Sequence, residues 1–185
     1  MSKILIVPVG RYANSGAVAQ AVAATLPDAA VFNPLADAER AERLLAEGKG
    51  DDWLDLLVGE VGALPQRNIV IQGIQPDADN LLLSSQNVEL ALSFNAAVVF
   101  AVSGDHSAES ARRVAAAKQT FAGRDVVFAG VVADNPKTAE LVKLPYLGSA
   151  AKPENTAALA KTGSDRVSPA QFRYNMMQAA RKANK

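Results

Sequence analysis

Cysteine is absent from this chain, and histidine and tryptophan occur once each. Disulfides, thiolate nucleophiles and cysteine metal sites are therefore excluded. An excess of charge is missing too, with 19 basic and 19 acidic side chains and a formal net charge of zero. No basic surplus recruits nucleic acid or an anionic membrane, so neither is an expected partner. No apolar run approaches the roughly 20 residues needed to span a bilayer. Met1-Ser2-Lys3 runs straight into a short apolar strand rather than a signal peptide, and a soluble cytoplasmic protein is expected. What is present is apolar: 49% of 185 residues, enough for a substantial core in one domain of ordinary size.

The apolar residues fall into short runs at Ile4–Val9, Ala29–Phe32, Asn68–Gln72, Ala97–Val102, Val126–Val132 and Leu144–Leu147. They lack polar alternation, which is how strands buried on both faces of a parallel sheet read. Helical spacing fills the intervals. Ala38–Ala46 carries Glu39 and Arg43 four apart. Asp51 or Asp52 is expected to cap a helix from Trp53 to Val61, with Trp53 packed in the core beside Leu56 and Leu57. Asp79–Asn95 reads as one longer amphipathic stretch, and Ser107 as the cap of a helix ending near Phe121. Strands alternating with helices predict an α/β fold with a doubly wound, mainly parallel sheet. Its ligand crevice is expected at the carboxyl ends of the strands.

At the first strand's end, Gly10 to Val18 read G-R-Y-A-N-S-G-A-V and open an alanine-rich helix. This is the frame of a phosphate loop without its working residues. Such a loop ends in Gly-Lys-Thr or Gly-Lys-Ser, its lysine reaching the outer phosphates and its hydroxyl holding Mg2+. Here Ala17 and Val18 take those two positions. A lost charge-assisted hydrogen bond is worth roughly 1.5–3 kcal/mol, about tenfold or more in affinity. Backbone N–H groups of Gly10, Ser15 and Gly16 could still hold an anion, with Arg11 and the Ser15 hydroxyl as partial compensation. The other reading is a fossil loop whose glycines serve a tight turn. Gln72 stands at a strand end where a working enzyme needs a metal-facing carboxylate, and being neutral it anchors Mg2+ poorly. Asp134, in Asp134-Asn135-Pro136, either contacts a nucleotide base or belongs to a helix cap. His106 lies in the polar loop Ser103–Ser107 and supports no serine-histidine-acid grouping.

After Gly148 the composition turns polar and alanine-rich, and 149–165 reads as a linker holding a short weak helix. Ser168-Pro169 then caps a new helix with proline at its first position. Phe172 and Met176 form an apolar stripe expected to find no partner in this chain, so residues after about Ala150 are expected to exchange amide hydrogens quickly.

Several segments in order carry a family resemblance: Val7-Pro8-Val9-Gly10 with Gly16-Ala17-Val18, then Ile69–Ile74, Asn87–Ala91, Phe94-Asn95-Ala96 and Gly130-Val131-Val132 before Leu144–Gly148. The most specific is Arg166-Val167-Ser168-Pro169-Ala170-Gln171-Phe172-Arg173-Tyr174-Asn175, followed by Ala179–Lys182. Residues 1–148 resemble the N-terminal dethiobiotin-synthetase-like, P-loop NTPase-like domain of long bacterial phosphate acetyltransferases. Residues 166–185 resemble the helix leading into that family's catalytic domain.

The resemblance implies a noncatalytic regulatory or assembly domain with a degenerate phosphate loop. The parent enzyme, an acyltransferase, converts acetyl-CoA and phosphate to acetyl phosphate and coenzyme A. Its catalytic domain is expected beyond Lys185, so this chain alone is expected to be inactive and to be a fragment. No catalytic residue carries over and no cofactor is required, although a weak nucleotide effector is compatible. Phe172, Tyr174 and Met176 are expected to dock on the catalytic domain of the same polypeptide, and the parent is expected to form homo-oligomers. The alternative from the residues is a free-standing nucleotide sensor or dethiobiotin-synthetase-like ligase with an atypical loop.

Overall fold

Five Val- and Ile-rich runs pair into one parallel sheet with strand order β2-β3-β1-β4-β5. A computed structural model describes residues 1–10, 13–76, 81–163 and 166–183. The strands are β1 (Ser2–Val9), β2 (Ala29–Phe32), β3 (Asn68–Gln72), β4 (Ala97–Val102) and β5 (Phe128–Ala133). Helices α1 (Ser15–Ala24), α2 (Ala38–Ala46), α3 (Gly50–Gly62), α4 (Leu81–Ser84), α5 (Asn87–Phe94), α6 (Ser107–Gln119) and α7 (Lys137–Val142) fill the crossovers and follow β5. A 3-10 turn at Thr156–Lys161 and α8 (Pro169–Ala183) complete the described elements. This is a doubly wound α/β architecture.

Strand side chains alternate between the two faces, and each face builds its own core. Leu5, Val7, Ile69, Ile71, Val98 and Phe100 point to one side, where Trp53 and Leu57 of α3, Phe94 of α5 and Val114 of α6 cover them. Ile4, Ile6, Val70, Val99 and Val132 point to the other, under Val18, Ala19 and Val22 of α1.

One helix cannot cover five strands, and the remaining area is closed by the segment read as a linker. Leu159 of the 3-10 turn is fully buried in that second core beside Leu147. The Ser2 hydroxyl donates to the Ala160 carbonyl at 2.7 Å, and Thr156 donates to Thr25 at 2.8 Å. Residues 149–163 are therefore part of the α/β body, contrary to the linker expectation. Burying a leucine contributes about 1.5–3 kcal/mol, so a lone leucine in a polar stretch can dock it.

Other expectations need correction. Leu144–Leu147 is an edge bridge rather than a strand: Tyr146 pairs only with Val131. Pro145 has no N–H to give to a ladder. Asp79–Asn95 is broken into α4 and α5, with residues 77–80 outside the described ones. Neither Asp51 nor Asp52 caps α3; both lie in its first turn after Lys49. Leu56 faces outward rather than joining Trp53 and Leu57 in the core.

Candidate functional site

The carboxyl ends of β1 and β3 meet the N-terminus of α1, where the Gly10–Val18 segment lies. Gly10 leaves β1 at φ +84°, a conformation that side-chain-bearing residues rarely adopt. Arg11 lies outside the described residues, as does Tyr12. The chain re-enters at Ala13, and Asn14 caps α1 by accepting from the Ala17 N–H at 3.0 Å. Asn14 stands three residues before the amide it caps, the usual place of an N-cap side chain.

The structure brings Ser15, Gly16 and Gln72 together at the end of β3, with Gly10 at the end of the neighbouring strand β1. Ser15 is 4% exposed, and its hydroxyl donates its single proton to the Gly73 carbonyl at 2.7 Å. It is therefore unavailable to a phosphate oxygen, against the compensation expected of it. The Gln72 amide lies across Gly16, where an added methyl would meet it at 3.2 Å. Gly73 presses on β1: its N–H donates to the Ile6 carbonyl at 2.9 Å, and a Cβ there would stand 2.1 Å from the same oxygen. Two further side chains, missed from sequence, bond to backbone here. Gln75 donates to the Gly10 carbonyl at 2.7 Å. Asn87 takes both backbone groups of Ile74, each at 2.8 Å.

A guanidinium does approach the loop. Arg113 Nη1 of α6 stands 3.3 Å from where a Cβ on Gly10 would sit, and it is paired with Glu109 one turn earlier. Asp134 is not part of this cluster. It follows β5, two strands from β1 and so about 10 Å away by sheet spacing. Its carboxylate accepts from the Gly104 N–H at 2.9 Å, joining the loops after β4 and β5, while Asn135 accepts from the Lys137 N–H at the start of α7. His106 is exposed at the N-terminus of α6 and makes no side-chain capping bond.

The C-terminal residues divide. Ser168 caps α8 by accepting from the Gln171 N–H and donates to the Ser93 carbonyl. Arg173 reaches Asp55 of α3 with Nε at 3.0 Å and Nη2 at 2.9 Å, and Asp51 at 3.2 Å. The hydrogen bond to the nearly buried Asp55 carboxylate is the main reason the Arg173 pKa is raised. The Tyr174 ring packs on Gly59, where an added methyl would come within 2.5 Å of it. Tyr174 thus docks α8 on its own domain, not outward as expected. Phe172 and Met176 stay 60% and 57% exposed on the opposite side.

Among the described residues, no group of three or more His, Asp or Glu side chains is placed to hold a metal ion. No helix among them is long and apolar enough to cross a membrane. Comparison with protein-family models and with curated proteins finds no match to this chain. The fold is thus that of a doubly wound α/β domain; at the end of β1, Ser15, Gln75 and Asn87 bond to backbone of the chain, beside a pocket of about 350 Å³ bordered by Gly10, Asn87 and Val88.

Proposed function

We propose that this chain is a noncatalytic regulatory or assembly domain of the phosphate acetyltransferase kind. Its scaffold would be a P-loop-like fold of the dethiobiotin-synthetase type whose loop has lost triphosphate chemistry. One observation carries the reading: the neutral Gln72 amide stands beside Gly16 in the first turn of α1, while the Ser15 proton is held by the Gly73 carbonyl. A phosphate arriving there finds neither lysine nor a free metal-binding hydroxyl. Any nucleotide effector would bind weakly, through backbone N–H groups and without Mg2+.

In this reading the parent reaction, acetyl-CoA plus phosphate to acetyl phosphate plus coenzyme A, belongs to a catalytic domain of the same polypeptide. The exposed Phe172 and Met176 side of α8 is the surface offered to it. Two experiments test the reading. Calorimetric titration with ATP, ADP and NADH, with and without Mg2+, should show no tight metal-dependent binding; micromolar Mg2+-dependent ATP binding would falsify the degenerate-loop half. The second joins this chain ahead of a phosphate acetyltransferase catalytic domain. The fusion should differ from the catalytic domain alone in oligomeric mass or effector response, and identity in both removes the regulatory half.

A further inference from the structure

The two ends of the sheet carry opposite charge patterns, although the chain as a whole is neutral. Beyond β5, helices α6 and α7 border an open groove of about 840 Å³. Its floor is apolar, with Ala111, Phe121, Phe128 and Val142, and Leu141 stands exposed at its lip. Three cations line it, Arg112, Lys118 and Arg124, with no carboxylate among its lining residues. None of the three has an ion-pair partner among the described residues. The Lys118 ammonium is held 5.2 Å from the centre of the Phe128 ring, so its charge stays beside the apolar floor. Arg112, Ala115, Gln119 and Arg124 are all exposed, so the walls are too open to enclose a small molecule as ligand cavities do. A macromolecular surface fits this groove better.

At the β2 end, α3 presents the complement. Asp52, Leu56 and Glu60 recur every four residues along one exposed side, with Leu56 38% exposed. Asp52 and Glu60 also lack ion pairs among the described residues. Asp37, the N-cap of α2, and Arg40 in its first turn border the same stretch with opposite charges. By helical rise the two acids are about 12 Å apart along α3, and Arg112 and Lys118 about 9 Å apart along α6, with Arg124 beyond.

We propose that the α6–α7 groove receives the Asp52–Leu56–Glu60 side of α3 from a second copy of this chain. Leu56 lies on the apolar floor and the two carboxylates meet the three cations. The patches sit at opposite ends of one strand order, so the contact is head to tail. Each copy keeps one groove and one α3 side free, and association propagates with concentration instead of closing as a symmetric dimer. The inference rests on charge and shape and does not depend on the phosphate acetyltransferase reading.

Sedimentation velocity on the full chain tests it. Weight-average mass should rise with protein concentration at low salt and fall to the monomer near 1 M salt, where the screening length is about 3 Å. Two double variants at exposed positions, Arg112→Glu with Arg124→Glu and Asp52→Lys with Glu60→Lys, should each associate at least tenfold more weakly. Their equimolar mixture should regain association, because each reversed patch then meets its complement. Melting temperatures confirm that both variants fold, and Arg112→Ala with Arg124→Ala serves if reversal destabilises. A wild-type monomer at every concentration overturns the proposal. So does undiminished association of either variant alone, which places the contact elsewhere, or a mixture that stays monomeric.

Discussion

The crevice at the end of β1 and the helix α8 face opposite fates. In the crevice, Ser15, Gln75 and Asn87 each hydrogen-bond to backbone of the same chain, and Gln72 lies over Gly16. On α8, one side is held to α3 by Arg173 and Tyr174, while Phe172 and Met176 remain in solvent. The lesson concerns where binding capacity resides. A crevice in the usual place for an α/β ligand can be satisfied internally, while a helix that looks adventitious can keep the open apolar surface.

The crevice breaks most sharply at Gly73. Gly73→Ala puts a methyl against the Ile6 carbonyl, an obstacle that no rotamer change relieves. We expect a loss of about 3 kcal/mol, at the upper end of ordinary overpacking, read as a lower urea midpoint. Wild-type stability in this variant would mean that β1 and β3 separate easily at this end.

The α8 attachment breaks next, at Arg173. Removing one member of a fully buried pair costs about 3–5 kcal/mol. Arg173 keeps 36% side-chain exposure while Asp55 is nearly buried, so Arg173→Ala should cost about 2 kcal/mol after allowing for solvent screening. The same variant should speed amide exchange along α8. Because the Arg173 pKa is raised, its contribution is complete below the ordinary arginine value and is lost only as pH climbs through the raised one. Its guanidinium charge therefore gives no pH sensitivity near neutrality. Arg173→Lys should recover only part of the loss, since an ammonium lacks the planar fork that meets Asp55 and Asp51 together.

Ser15→Ala is the gentler probe of the crevice. It removes one buried hydrogen bond to the Gly73 carbonyl, worth about 1 kcal/mol. It should leave nucleotide binding unchanged, because that hydroxyl already donates within the chain. A fall in nucleotide affinity would instead show that Ser15 turns outward to a ligand.

The sheet was legible because apolar runs without polar alternation mark buried strands: Asn68–Gln72 and Ala97–Val102 lie where those runs are, and so does Ala29–Phe32, although as an edge strand it is only partly buried. The strand-to-helix turn after β1 was legible from Gly10, as was the neutrality of Gln72. The hydrogen bonds of Ser15 and Gln75 were not. Ser15 to Gly73 spans 58 positions and Gln75 to Gly10 spans 65, and no local pattern reports which of two serines or glutamines turns inward. The segment around Leu159 misled for a related reason: composition weighs a stretch by its average, whereas docking needs a single buried leucine. Arg173 and Asp55, 118 positions apart, were equally hidden.

The smallest expected effect distinguishes the two sides of α8 most directly. Tyr174 is half-buried on Gly59, whereas Phe172 and Met176 lie mostly in water. Phe172→Ser with Met176→Ser should therefore change stability by no more than about 0.5 kcal/mol, as surface substitutions do. Tyr174→Ala should cost about 2 kcal/mol, less than the 3–5 of a fully buried aromatic. Chemical denaturation of the three proteins side by side gives the ranking. If the double serine variant unfolds as easily as Tyr174→Ala, the outer side of α8 is held within the domain and offers nothing to a partner. If only Tyr174→Ala suffers, the apolar stripe contributes nothing to this fold. The same double variant in a fusion with a phosphate acetyltransferase catalytic domain should then lose interdomain protection from amide exchange.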